Sequence, residues 1–256
     1  MFKYFPPAQI QAHHAPRDYA ICAFAFGVVV LCFFIDLWSN GQLQWLLGFG
    51  GWLSLLFILK GEDNQVRAQV LVAVSFATIG EHFASIYMEG YTYRLQNVPA
   101  FVPPGHGLVY LTAVVLGRSG FFQNHARPIA GVVVGSGLIW LYSIQLGWIG
   151  RDDQIGAILF AIYLLFLFKG RSPMVYLGAF FITTWVEWVG TSLGTWNWAA
   201  IDPASTLTQG NPPAGVAAWY CLVDAVAMAG AVPVLKCFER WQRSRGLYDS
   251  RAESTE

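Results

Sequence analysis

Eight apolar stretches alternate with short polar turns: roughly Tyr19–Trp38, Leu43–Leu59, Ala68–Met88, Pro104–Gly117, Pro128–Trp148, Gln154–Phe168, Pro173–Gly194 and Pro212–Cys237. A helix needs about 20 residues to cross a bilayer. Most of the stretches meet that length; the fourth and sixth are short for it. The pattern predicts an all-α polytopic membrane protein with about eight transmembrane helices. The turns divide the chain into a segment 1–18, four helices over 19–118, a linker 119–127, four more over 128–238 and a tail 239–256.

Composition supports this reading. Only 12% of residues are charged and 55% are apolar, against about 25% charged in a soluble domain. The net charge of zero does not point to a partner of either sign. The position of the charges is informative. With eight crossings, one side collects 13 of the 15 Lys and Arg residues, and the other holds only Arg94 and Arg151. The positive-inside rule then puts both termini in the cytoplasm, and a bacterial inner membrane is the expected setting. Met1–Asp18 is too polar and proline-rich for a cleaved signal. Cys22, Cys32, Cys221 and Cys237 form no CxxC pair and read as small core residues.

The eight stretches fall into two sets of four. Glu81 lies in the third within Thr78-Ile79-Gly80-Glu81-His82-Phe83-Ala84-Ser85, and Glu187 in the seventh within Thr184-Trp185-Val186-Glu187-Trp188-Val189-Gly190-Thr191. An aromatic pair with one residue between follows each: Tyr91 and Tyr93, then Trp196 and Trp198. A Pro-Pro comes next in both halves, Pro103-Pro104 and Pro212-Pro213. An even offset of four spans gives the halves the same orientation, a parallel repeat. Two carboxyls would then face each other across a central seam, under the loops that carry the aromatic rings. An ionisable residue inside a membrane is a functional-site hypothesis by default. Thr78, Ser85, Thr184 and Thr191 stand three or four residues from the glutamates, on the same helix face. Such a stripe serves either as glue between helices or as the lining of a wet site. The four aromatic rings read either as an interfacial anchor belt or as a lip above the site, and Trp188 joins them as a candidate contact.

Asp224 is a third acid, with no acidic counterpart in the first half. His106, in Pro-Pro-Gly-His-Gly, opens the fourth span near the loop after Glu81 and suits a proton relay. In the second half Gly215 takes its position. His82 points about 100° away from Glu81. Asn211 is placed to cap the eighth span, with Pro212 at its first helical position. No HExxH, histidine cluster, Gly-x-Ser-x-Gly, Walker loop or dinucleotide fingerprint occurs. No metal, cofactor or nucleic acid is therefore expected.

Glu187-Trp188-Val189-Gly190 followed by Gly194-Thr195-Trp196-Asn197-Trp198 resembles a pattern in integral-membrane carotenoid-biosynthesis proteins. These are the bacterioruberin-type hydratases and, more distantly, the small membrane lycopene cyclases. The first half echoes the pattern as Glu81 with Gly90-Tyr91-Thr92-Tyr93. The resemblance covers about forty residues, twice. It implies a long isoprenoid substrate and an acid role for Glu81 and Glu187.

Buried carboxyls that differ in protonation form an acid/base pair, and aromatic faces stabilise cations. The chemistry open to such a site is protonation of a C=C bond, followed by hydration or cyclisation of an isoprenoid or lipid from the bilayer. Glu81, Glu187 and Asp224 would act as acid and base, with His106 as relay. A proton-coupled transporter or lipid carrier would use the same acids, and a non-catalytic subunit of a membrane complex would not need them. A homo-oligomer fits each of these readings.

Overall fold

The computed structural model describes residues 16–244. Lys3, His13, His14, Arg245 and Arg251, and with them most of the expected terminal segments, lie outside the described residues. The helices are α1 (Pro16–Asp36), α2 (Gln42–Leu59), α3 (Asn64–Glu81), α4 (Val102–Arg118), α5 (Gly120–Asn124), α6 (Ala126–Gln145), α7 (Gln154–Lys169), α8 (Pro173–Ser192) and α9 (Ala217–Ser244). Each long helix overlaps one expected apolar stretch. Local chemistry sets several of the starts. The Asp63 carboxylate accepts from Val66 N at 2.7 Å at the head of α3, and Asp153 accepts from Gly156 N at 2.9 Å at the head of α7. Pro103 and Pro104 fall in the first turn of α4, where no N–H is needed.

Four features depart from the expectation. The linker carries the short helix α5. α9 begins at Ala217 and not at Pro212, because Gly215 adopts φ +72° and interrupts any helix before it. Asn211 therefore caps nothing; its Oδ1 accepts from Trp198 N at 3.1 Å. α3 continues into a π-helical turn, His82–Tyr87, closed by Met88 N donating to Phe83 O at 2.9 Å. Finally, strands β1 (Tyr91–Tyr93) and β2 (Trp196–Trp198) form an antiparallel ribbon that pairs Tyr91 with Trp198, Thr92 with Asn197 and Tyr93 with Trp196.

Among the described residues, five helices are long and apolar enough to cross a membrane: α1, α2, α3 with its π turn, α6 and α9. They mark the chain as a membrane protein. Much of their outer surface is apolar and uncovered; on α2, Trp45, Leu46 and Phe57 are 74%, 67% and 75% exposed. Lipid is the natural solvent for such a surface. α4 and α8 are more enclosed, and 12 of the 17 residues of α4 are buried. They pack closely on each other at the centre of the bundle, and α3 packs comparably on α9. A Cβ on Gly178 of α8 would lie 2.5 Å from the Ala113 carbonyl oxygen of α4, so glycine is what lets the two backbones meet.

Each end of the bundle is pinned by charge. At one end Arg118 donates to both Asp18 oxygens, at 2.9 and 2.6 Å, and to both Glu62 oxygens, at 2.6 and 3.0 Å. Arg17 adds a bond to Glu62 at 2.6 Å. This clamp joins α1, the α2–α3 turn and α4. At the other end lies the ribbon. Arg94 donates to the Asp36 and Ser39 carbonyls, and Arg151 donates to the Trp198 carbonyl at 2.5 Å and the Gln209 carbonyl at 2.6 Å. Arg94 and Arg151 are the two basic residues that the charge count separated from the rest.

Candidate active site

The ribbon turns four aromatic side chains toward the two glutamates. Strand side chains alternate between faces, so Tyr91 and Tyr93 share one face with Trp196 and Trp198, while Thr92 and Asn197 take the other. Tyr91 and Tyr93 donate their hydroxyl protons to Oε2 of Glu81, at 2.6 and 2.8 Å. Trp196 and Trp198 donate their Nε1 protons to Oε2 of Glu187, at 3.0 and 2.9 Å. Each pair therefore binds the carboxylate that precedes it in sequence. Across the ribbon the rings touch, with Tyr91 and Trp198 centroids 4.6 Å apart. Gly190, one turn past Glu187, provides the space that the Trp196 ring fills; any Cβ there would overlap the ring. That gives the Glu-x-x-Gly spacing a steric reason. Burying a carboxylate is costly unless donors meet it, and bonds to a charged group contribute about 1.5–3 kcal/mol each.

The two glutamates differ in their remaining contacts. Nε2 of His106 sits 3.0 Å from Oε1 of Glu81, an ion-pair distance lying off the line of a straight hydrogen bond. Nδ1 of the same ring is 2.6 Å from the Tyr220 hydroxyl on α9. Among the described residues, no hydrogen bond reaches Oε1 of Glu187.

Both glutamates line one cavity of about 810 Å³, together with His106, Tyr220 and the four ribbon aromatics. The rest of the wall is mainly apolar, from α1, α2, α3, α4, α7, α8 and α9. Several lining residues are also exposed on the outer surface of the bundle: Leu31 57%, Leu46 67%, Phe83 54% and Trp219 52%. The cavity thus opens sideways between helices. Its size suits a ligand with a substantial apolar body.

The structure brings together Glu81, Glu187, His106, Tyr91, Tyr93, Trp196 and Trp198. It separates the other candidates from them. Asp224 is 2% exposed and does not line the cavity; its Oδ1 accepts from the Tyr110 hydroxyl at 3.0 Å, one helical turn deeper than Tyr220. Ser85 and Thr191 donate back to the carbonyls of Glu81 and Glu187, each at 2.7 Å, so their hydroxyls serve their own helices. Thr78 and Thr184 also lie outside the lining; Thr183 is there instead. The π turn shifts the face after Glu81, so Ala84 lines the cavity where regular helix spacing favoured Ser85. Trp188 is 52% exposed and packs against Trp185, 5.9 Å between centroids, away from the site. The ribbon aromatics are neither an anchor belt nor a lip. They turn inward, and Tyr91, Tyr93 and Trp196 are at most 8% exposed. His82 lies outside this cavity, in a groove of about 740 Å³ near the head of α2.

Sequence reasoning missed Tyr220. The signal available was a tyrosine inside an apolar span, whose hydroxyl needs a partner once buried. No family model, curated protein or solved structure matches the chain.

Proposed function

We propose that the chain is an intramembrane enzyme that adds a proton to a C=C bond of a long apolar substrate, and directs the resulting cation toward hydration or cyclisation. The observation that carries this reading is a pair of differently bonded carboxyls in one apolar cavity open to the side of the bundle. Glu187 is the acid. Its donors, two indole N–H groups, cannot take its proton, so a proton on Oε1 has only the cavity before it. Glu81 is the base, since two hydroxyls already donate to its Oε2 and His106 stands at ion-pair distance from its Oε1. The ribbon aromatics supply faces for a carbocation. The substrate class is an isoprenoid or related lipid, as the resemblance to carotenoid-biosynthesis proteins implies.

In this reading the chain crosses the membrane eight times as two parallel four-helix repeats, 19–118 and 128–238. The matching bonds of the two halves support it: Glu81 with the next aromatic pair, Glu187 with its own, and a ribbon register that exchanges the strands about the Thr92–Asn197 pair. The ribbon faces outward and both termini face the cytoplasm of a bacterial cell. The charged groups of the cavity gather near the ribbon, and the wall deeper in the bundle is mainly apolar, including Phe76, Val109, Ile182 and Val223, with only the hydroxyls of Ser54 and Thr183 among them. That favours an enzyme over a proton-coupled carrier, which needs a polar path to both faces.

Native mass spectrometry with lipid extraction tests the reading, on wild type and on a Glu81→Gln/Glu187→Gln double variant. The expected result is a retained isoprenoid or lipid that stays unconverted in the variant. Absence of a specific ligand from both proteins would sink the proposal.

A further inference from the structure

Tyr91 and Tyr93 spend their hydroxyl protons on Glu81, but Tyr220 does not. Its hydroxyl lies 2.6 Å from His106 Nδ1, and His106 Nε2 lies 3.0 Å from Glu81 Oε1. With Glu81 ionised, the ring proton sits on Nε2 and Nδ1 accepts from the phenol. Three groups from α9, α4 and α3 thus stand in contact one after another, and all three line the cavity. We propose that Tyr220 is a catalytic residue, the cavity-facing end of a Tyr220–His106–Glu81 relay that receives the proton leaving the substrate. The inference rests on the enzyme reading above and adds the residue through which its base acts.

Access is the reason a relay is needed. Glu81 lines the cavity, but Oε2 already accepts from two tyrosine hydroxyls and Oε1 faces His106, so little of the carboxylate is left for a substrate proton to meet. The Tyr220 oxygen donates once and keeps acceptor capacity. Glu187 has no such chain, because Gly215 stands where His106 stands in the first half. The site is therefore a donor without a relay facing an acceptor with one.

The steps balance. The Glu187 O–H bond breaks and its proton bonds to one alkene carbon with the π electrons, leaving a cation on the neighbouring carbon. A C–H beside the cation then gives its proton to the Tyr220 oxygen, and its electron pair forms the new C=C bond. The phenol proton passes to His106 Nδ1 as the Nε2 proton passes to Glu81. Where water adds to the cation instead, the oxonium proton takes the same route. One proton leaves Glu187 and one reaches Glu81, and its return to Glu187 through water in the emptied cavity resets the pair.

The test is deuterium incorporation into squalene, carried with the full-length protein in phosphatidylethanolamine/phosphatidylglycerol nanodiscs in heavy water and read by mass spectrometry. Tyr220→Phe keeps the ring and removes only the hydroxyl. It should retain squalene as wild type does and incorporate deuterium about 10²–10³-fold more slowly. His106→Gln should fall similarly, and the double variant no further, since residues that act as a unit are not additive. Wild-type incorporation by Tyr220→Phe, loss of squalene retention, or independent losses in the double variant would each overturn the relay and leave the enzyme reading standing. No incorporation by wild type would overturn both. If Tyr220→Phe does not fold, 3,5-difluorotyrosine at position 220 keeps the hydroxyl and makes it more acidic. The relay then moves the pH profile of incorporation to lower pH, and an unmoved profile overturns it.

Discussion

Glu62 and Glu187 sit at opposite ends of the bundle and are bonded in opposite ways. Both Glu62 oxygens are filled by arginine, and its side chain is 2% exposed. Glu187 has one oxygen held by two indoles and the other facing a cavity. A carboxylate with both oxygens held by cations fastens helices together; one left partly open to a cavity remains free to react. Inside a membrane protein, the arrangement of partners separates these roles better than residue type or depth. Asp224 belongs to neither class: buried and bonded to Tyr110 through one oxygen, it has neither a cation on it nor the cavity before it.

Substitutions can break this contrast. Glu187→Gln should have the largest effect, a loss of conversion of about 10²–10⁴-fold. Gln keeps an oxygen for both indoles, so thermal stability should stay within about 1 kcal/mol, the scale of one net hydrogen bond. A large fall in melting temperature would show that Glu187 also fastens. Arg118→Met should do the reverse. Leaving the buried Asp18 and Glu62 with only Arg17 beside them costs up to about 3–5 kcal/mol, and ligand conversion by the folded fraction should not change. Trp198→Phe removes one of two donors to Glu187 and should slow conversion about 10- to 100-fold. Tyr91→Phe leaves Glu81 with two other partners, so a loss of only about fivefold is expected; equal losses in the two halves would contradict their proposed division of labour.

Acid should affect the clamp most gently. Burial pushes the Glu62 carboxyl up, but the bonds and charges of Arg118 and Arg17 outweigh it and hold the group below its ordinary value. The stability it contributes is complete above the unfolded carboxylate value of about 4.3 and is lost as pH falls through the lowered folded value. Unfolding measured between pH 3 and 7 should show this slope in wild type and not in Glu62→Gln.

The long helices were legible because apolar runs of membrane length leave little alternative, and the paired glutamates stood out because carboxylates are rare in such runs. The ribbon was not legible. Tyr-Thr-Tyr and Trp-Asn-Trp are three-residue strands stabilised by pairing across more than a hundred residues, a contact no local pattern encodes. Their rings looked like anchors because aromatic residues beside a span usually are, and only the pairing turns them inward. The hydroxyl stripe misled for a related reason. Ser85 and Thr191 can satisfy themselves on their own helix, and the π turn displaces the face that regular spacing assigned to Ser85. His106 was found by its odd setting in a Pro-Gly run, whereas Tyr220 sits in an ordinary apolar context and shows its role only beside His106.

The alternation of the ribbon works like a reading frame. All four donors to the glutamates occupy odd positions of two three-residue words, and the partner of each word is the other. Deleting Gly90, just before the first strand, with the pairing otherwise kept, would present Thr92 where an aromatic stood and turn both tyrosines outward. Deleting two would restore the parity. Loops are commonly where chains tolerate changes in length, but here a change of one would silence a carboxylate without touching it.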